Sequence, residues 1–298
     1  MGALEPLDIT GWQVALSPKI QAQAVDALES GRLIYAPGLH FELAESEHRF
    51  LSPEYLDAKS KNVSLRLGTG ILDGASCRGA DYGELRGMLQ RYSDQTSELL
   101  KALLPGWTAY IRRGFTSFRP AQIAGRSTTW QSDDTRLHVD AFPSRPLQGL
   151  QILRVFTNVN PQTPRIWRIG EAFEAVAARF LPLIRRPLPG SSLALYLMRR
   201  VKRRRTEYDH FMLGIHDRMK ADADYQSQVP KTQIAFPPGA TWACFTDRVS
   251  HAAISGQFVL EQTFYLRVNA MMYPQRTPLR VLERLLGRAL VPAARVPE

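Results

Sequence analysis

Apolar residues at positions 85, 88, 89, 92, 99, 100 and 103 recur at the three-and-four spacing of a single helix face. They predict an amphipathic helix across GELRGMLQRYSDQTSELLKALL that stops at Pro105. Ahead of it, residues 20–35 read as helix and then strand, and residues 40–62 are polar and turn-rich. Beyond it the texture changes. WTAYIRRGFTSFRP, RLHVDAF, QILRVFTNV, PRIWRI, TQIAFPP, TWACFTD and VLEQTFYLRVNAMM are short runs rich in β-branched and aromatic residues, each set off by Pro, Gly, Asn or Asp. That is the pattern of strands. Helical signals interrupt them at about 171–224, where GEAFEAVAARF and EYDHFMLGIHDRMKAD flank a basic run. Near the end, Leu279, Leu282, Leu286 and Leu290 fall on one helical face while Arg280, Arg284 and Arg288 stripe another.

The expected fold is therefore α+β, in a single domain covering 1–298. A helical or mixed N-terminal portion (1–106) precedes a sandwich or barrel core (107–273) such as a double-stranded β-helix, or jelly roll. A helical insert (about 171–224) interrupts the core, and a basic amphipathic helix (274–298) closes the chain. The composition, 44% hydrophobic and 22% charged, suits a folded globular protein. MGALEPLDIT has neither a basic n-region nor an apolar h-region, which predicts no signal peptide. SSLALYLM is eight residues long, far short of the roughly 18 to 20 needed to span a bilayer. Cys77 and Cys244 lie far apart in apolar surroundings and read as buried thiols, in keeping with a reducing cytosol.

Charge changes the picture. Thirty-eight Lys and Arg against 28 Asp and Glu leave a net +10, which calls for a polyanionic partner: nucleic acid, an anionic membrane surface or acidic substrates. The basic residues cluster in the run from Arg185 to Arg205 and in the C-terminal stripe. With no acidic run to balance them, they favour peripheral contact with anionic lipid or nucleic acid.

The candidate chemistry lies in TRLHVDAFPSRP. On a strand, residues i and i+2 share a face, so His138 and Asp140 present an imidazole and a carboxylate together. These are two ligands of a 2-His-1-carboxylate triad, which holds Fe(II) and leaves positions open for oxygen and a co-substrate. His-x-Asp alone recurs by chance. Of the remaining histidines, His40 and His48 lie in the polar N-terminal segment, and His210 and His216 in the insert. His251 follows a strand, a turn and a second strand, and is the expected third ligand. The usual co-substrate, 2-oxoglutarate, needs a buried cation for its far carboxylate. Arg154 (ILRVF) and Arg267 (YLRVN) are the candidates, with an ion pair to a carboxylate such as Glu261 as the competing assignment for each. Other motifs fail. GTGILDG lacks nucleotide-loop spacing, there is no C-x-x-C or G-x-S-x-G, and the adjacency of Asp, Ser and His in DRVSH is not triad geometry.

HVDAFPSRP, ILRVFTNVNPQTPRIWRIGEAFE and DRVSHAAISGQFVLEQTFYL together resemble the Kdo hydroxylase family of Gram-negative bacteria across most of the chain. The resemblance implies an Fe(II)/2-oxoglutarate dioxygenase that uses O2 and hydroxylates C3 of 3-deoxy-D-manno-oct-2-ulosonic acid (Kdo) in the lipopolysaccharide inner core, giving Ko, succinate and carbon dioxide. It implies His138, Asp140 and His251 as the metal ligands. Arg119, Arg145, Arg165 and Arg168 become candidates for the sugar acid, since a guanidinium pairs a carboxylate bidentately. The implied partner is Kdo-lipid A at the anionic inner membrane, approached peripherally from the cytoplasmic face; neither nucleic acid nor a protein partner is expected. Two rival readings are an AlkB-like nucleic-acid demethylase, whose basic tracts would want interleaved aromatics, and a non-catalytic membrane-docking β-domain, which leaves the triad unexplained.

Overall fold

The computed structural model describes residues 2–125 and 128–292. Strands β1 (Leu4–Pro6), β2 (Leu33–Ala36), β3 (Val63–Leu65), β4 (Leu72–Asp73), β5 (Ile111–Arg119), β6 (Gln151–Asn158), β9 (Thr241–Phe245) and β11 (Val259–Leu266) build one eight-stranded sheet. Its order is β1-β2-β9-β6-β11-β5-β3-β4. β7 (Arg165–Ile169), β8 (Thr232–Phe236) and β10 (His251–Ser255) form a second, three-stranded sheet in the order β10-β7-β8. The β1–β2 pairing is parallel, and the central pairings of β6, β9, β11 and β5 are antiparallel.

Strand alternation assigns each face of the large sheet its own task. Leu153 and Val155 of β6, with Leu260, Phe264 and Leu266 of β11, point toward helices α1 (Pro18–Glu29) and α2 (Gly79–Leu103) and form one core with Leu85, Met88, Leu89 and Tyr92. All seven positions that predicted α2 pack into this core, and burying each such large side chain contributes about 1.5–3 kcal/mol. Helix α1 starts cleanly because Ser17 accepts the Ile20 amide and Pro18 occupies the first turn. On the opposite face Phe156, Trp242, Cys244 and Val259 meet Trp167, Ile169, Ile234 and Phe236 of the small sheet. The strands that read as uniformly apolar are thus covered on both sides.

The insert brings α3 (Phe173–Phe180), α4 (Ser191–Leu197), α5 (Glu207–Ala221) and α6 (Ala223–Gln228), and a last helix α7 spans Pro278–Leu286. A third core joins α3, α5 and α7 around Phe173, Phe180, Phe211, Ile215 and Leu282. A capping box opens α5: Thr206 accepts the Asp209 amide while Asp209 accepts that of Thr206.

The N-terminal portion is mixed, pairing α1 and α2 with β1–β4 of the large sheet. Two expectations need correction. RLHVDAF is not a strand; His138 makes one isolated bridge, to His251. The final helix is nine residues long, its Leu279, Val281 and Leu282 are buried, and two of its expected cationic stripe are neutralised, Arg280 by Glu283 and Arg288 by Glu207. The rest of its expected span, 293–298, lies outside the described residues. Both cysteines are free, Cys244 buried and Cys77 half-buried. Among the described residues no helix is long and apolar enough to cross a membrane.

Candidate metal centre

Two backbone bonds assemble the site. The His138 amide donates to the His251 carbonyl (3.0 Å) and the His251 amide to the His138 carbonyl (2.9 Å). This reciprocal antiparallel pair places both imidazoles on one face. Two residues on, the Asp140 amide donates to the Thr246 carbonyl (2.8 Å) and brings the carboxylate to the same face. Register with β7, where His251 opposes Ile169 and Ala253 opposes Trp167, sets the small sheet behind them. The Trp167 ring stacks on His251 at 5.0 Å between centroids.

Each ring is oriented from behind. His138 Nδ1 meets the Arg136 carbonyl and His251 Nδ1 the Val249 carbonyl, both at 2.8 Å. A carbonyl only accepts, so each Nδ1 carries the proton and each Nε2 keeps its lone pair. Burial, reinforced at His138 by the neighbouring His251, holds both imidazoles below their ordinary pKa, hence neutral at pH 7. Asp140 stays ionised: burial would raise its pKa, but the Arg154 guanidinium beside it holds it below the usual carboxylate range. Its Oδ2 lies 3.3 Å from Arg154 Nη1 yet makes no hydrogen bond. One donor atom from each of the three residues lies within 4.8 Å of the others, so a single cation could touch all three after sub-ångström side-chain adjustment, given metal–ligand distances of about 2.0–2.2 Å. Two neutral imidazoles, one carboxylate and an unsatisfied buried oxygen suit a divalent transition metal.

The triad opens into a cavity of about 70 Å³, also lined by Arg119, Asp134, Arg154, Arg165 and Glu261. An outer chamber of about 350 Å³ shares Arg119, Arg154 and Glu261 with it and adds Asn62, Phe115, Arg145 and Tyr265. Alternate residues of β11 (Glu261, Thr263, Tyr265) and β5 (Phe115, Ser117, Arg119) line it.

The predicted arginines separate by circumstance. Arg154 is shared between Asp140 and Glu261 (3.2 Å), the competing assignment foreseen for it. Arg119 grips Glu261 through Nε (2.9 Å) and Nη2 (2.7 Å). Arg267 falls beyond the end of β11, half-buried, and lines neither chamber. On β7, alternation turns Arg165, Trp167 and Ile169 inward and leaves Arg168 exposed, away from the site. Arg145 is exposed at the outer chamber, its guanidinium 3.9 Å over the Phe115 ring. Arg165 stands apart. It is 3% exposed, its Nη1 donates to the Gly256 carbonyl (2.7 Å), and among the described residues its Nε has no partner and no carboxylate pairs with it. Burial, with Arg119 nearby, pulls its pKa down to about 9; it remains a cation at neutral pH, held in want of an anion.

Sequence reasoning missed Asp134. It is held by Lys61 (3.2 Å), Lys220 (3.7 Å) and Arg119 (3.9 Å), which overcome its burial and keep its pKa well below the carboxylate range. Its carbonyl accepts the Ala253 amide (2.8 Å), fastening the cavity's edge to β10. TWQSDDTRLHVD offers no periodic signal for that role.

Glu261 is the hub of the charges beneath the site. Burial would raise its pKa from 4.5, but Arg119 and Arg154 outweigh that and lower it. A carboxyl depressed in this way stabilises the fold fully above its ordinary pKa, and the effect fades as pH falls through the lowered folded value. Glu261→Gln should cost on the order of 3 kcal/mol at pH 7, because two guanidinium groups lose their shared anion. Urea denaturation should show the gap from wild type closing below about pH 4; a gap that persists there would assign the loss to packing.

The family model described as 3-deoxy-D-manno-oct-2-ulosonic acid (Kdo) hydroxylase matches residues 11–289. Among solved structures, the Kdo hydroxylase KdoO, a non-heme Fe(II) α-ketoglutarate-dependent dioxygenase, in complex with α-ketoglutarate and Fe(III), is 42% identical over 97% of each chain, with a TM-score of 0.93. The cobalt(II) complex of KdoO is 42% identical over 98% of each chain, TM-score 0.95. Its apo structure is 43% identical over 97% of each, TM-score 0.94. No curated protein matches the chain.

Proposed function

The chain belongs to the Kdo hydroxylase family, and from that premise we propose that it hydroxylates C3 of Kdo carried on lipid A, producing Ko. It is an Fe(II)- and 2-oxoglutarate-dependent dioxygenase. The observation that carries the reading is the pairing, in one cavity, of a buried His138–Asp140–His251 cluster with the unpaired Arg165 cation. The two facing sheets support a jelly-roll core in a single domain.

His138 and His251 would give Nε2, and Asp140 a carboxylate oxygen, to the iron. Bound iron and 2-oxoglutarate supply oxygen activation and the power to replace an unactivated C–H hydrogen by hydroxyl, with succinate and carbon dioxide as by-products. Arg165 takes the far carboxylate of 2-oxoglutarate, the role expected of Arg154 or Arg267: it alone among these arginines offers buried donors without a carboxylate partner. Arg154 instead braces Asp140 against Glu261 and keeps the ligand ionised. In the outer chamber the guanidinium of Arg145, already flattened on Phe115, receives the sugar carboxylate, and Asn62, Ser117 and Tyr265 face the hydroxyls. Held at two ends, the sugar presents one carbon to the metal, and position decides which hydrogen is lost. Phe156, Trp167 and Val259 give the inner cavity an apolar wall, which limits the water beside the reacting atoms.

The enzyme acts on the cytoplasmic face of the inner membrane as a peripheral protein, in keeping with its +10 charge. Incubation with Fe(II), 2-oxoglutarate, oxygen and Kdo-lipid A should give a lipid heavier by one oxygen atom, one succinate per hydroxylation, and a fragment spectrum placing the new hydroxyl on C3. Succinate formation that the lipid does not stimulate would overturn the substrate.

A further inference from the structure

Eleven large hydrophobic side chains are exposed among the described residues, and six of them, Leu183, Leu188, Leu193, Tyr196, Leu197 and Met198, crowd into one stretch of the insert. Leu188 is 78% exposed, Leu197 69% and Met198 61%, values of side chains standing free in solvent. In α4, Leu193, Tyr196 and Leu197 share a face by the three-and-four rule. That helix is seven residues long and buries none of them. A helix so short is not stable in water by itself, and this one gains nothing from a core.

Cations surround it. Arg185, Arg186, Arg199, Arg200, Lys202 and Arg203–Arg205 fall in a span, 175–206, that contains no Asp or Glu. Among the described residues none of the eight has an ion-pair partner, whereas in the C-terminal helix Arg280 pairs with Glu283, Arg288 just beyond it pairs with Glu207, and Leu279, Val281 and Leu282 are buried. The patch is also tied to the mouth of the outer chamber. Lys202 donates its amide to the Ser144 carbonyl (2.8 Å), Arg205 Nη2 reaches the Pro143 carbonyl (2.5 Å) and Gln148 Nε2 the Arg204 carbonyl (2.9 Å). Pro143 and Ser144 line that chamber beside Arg145.

We infer that residues 183–205 form a docking element for an anionic phospholipid surface, with α4 entering the apolar layer, the arginines on the headgroups and the outer chamber opening beside them. The chemistry selects the occupant. Aliphatic side chains gain by entering hydrocarbon, which nucleic acid does not offer. A second copy of the chain would set two unpaired basic clusters against each other. The element deepens the proposed function by presenting the chamber to headgroup sugars, and it rests on that reading only for the identity of the sugar.

The test is flotation of the full-length protein with phosphatidylglycerol–phosphatidylethanolamine vesicles, and with phosphatidylcholine vesicles for comparison. Wild type floats with the anionic vesicles, and binding falls steeply as salt rises. Leu193→Ser/Leu197→Ser weakens partitioning about tenfold or more, and Arg203→Glu/Arg204→Glu does the same, with melting temperatures unchanged because these side chains are exposed. Arg284→Glu/Leu285→Ser on α7 leaves binding intact. The inference fails if wild type stays in the aqueous phase, if the insert variants float like wild type, if the α7 variant loses binding, or if duplex DNA displaces the protein from vesicles. Because the vesicles contain no Kdo, a negative result here leaves the hydroxylase reading standing, and failed hydroxylation leaves this one.

Discussion

His251→Ala is expected to lack the weak visible charge-transfer band that the wild-type protein develops anaerobically with Fe(II) and 2-oxoglutarate. The band needs both partners on one ion, so it reports the site without requiring turnover. Losing an outer hydrogen-bond partner of a metal site costs about 10–100-fold, and removal of a ligand itself should cost more, on the order of a thousandfold in hydroxylation. The substitution also removes the ring that stacks on Trp167, so the melting temperature of the metal-free variant must be measured beside it. A variant that melts near wild type and shows no band places His251 on the metal. A band of wild-type strength would remove it from the ligand set.

Arg165→Met should produce the second large effect, of a different kind. The side chain keeps its apolar length and loses its charge. Truncating one side of a buried charged pair costs about 2–5 kcal/mol, so the KM for 2-oxoglutarate should rise by roughly two to three orders of magnitude while kcat at saturation falls much less. Stability should move the opposite way. Without co-substrate the wild type holds a 3%-exposed guanidinium with no carboxylate partner, a burial that disfavours the fold. The variant without co-substrate should therefore melt at or above the wild-type temperature and no longer gain stability when 2-oxoglutarate is added. A Michaelis constant within a few-fold of wild type would return the role to another cation.

The grouping of His138, Asp140 and His251 was legible because few histidines compete for it. His138 and Asp140 are two residues apart, and the four other histidines lie in segments with different textures. The reason they share a face was not legible: RLHVDAF supplies one bridge to His251 rather than a strand, and that bridge connects distant segments. The arginines show where local reading ends. Arg165 and Arg168 look equivalent in PRIWRI, and only the phase of β7 separates an inward cation from an exposed one. Of the first four strands only β2 was read, in the strand that follows the helix of residues 20–35; β1, β3 and β4 are two or three residues long, too short for period-two alternation to register. The C-terminal helix is nine residues long against the expected 274–298, and periodicity does not say what its Leu279, Val281 and Leu282 meet; here that is the core shared with α3 and α5.

The reciprocal backbone pair between His138 and His251 has a bearing on how the enzyme is loaded. These residues stand 113 positions apart, and joining them carries a large loop-closure cost that grows with the logarithm of loop length. Strand pairing and the three cores, all made of protein contacts, offset that cost, and the Arg136 and Val249 carbonyls aim both rings. The geometry of the cluster is thus written into the fold itself, so that stripping the metal with a chelator is expected to empty the site without unfolding the chain, a result that circular dichroism before and after chelation would check.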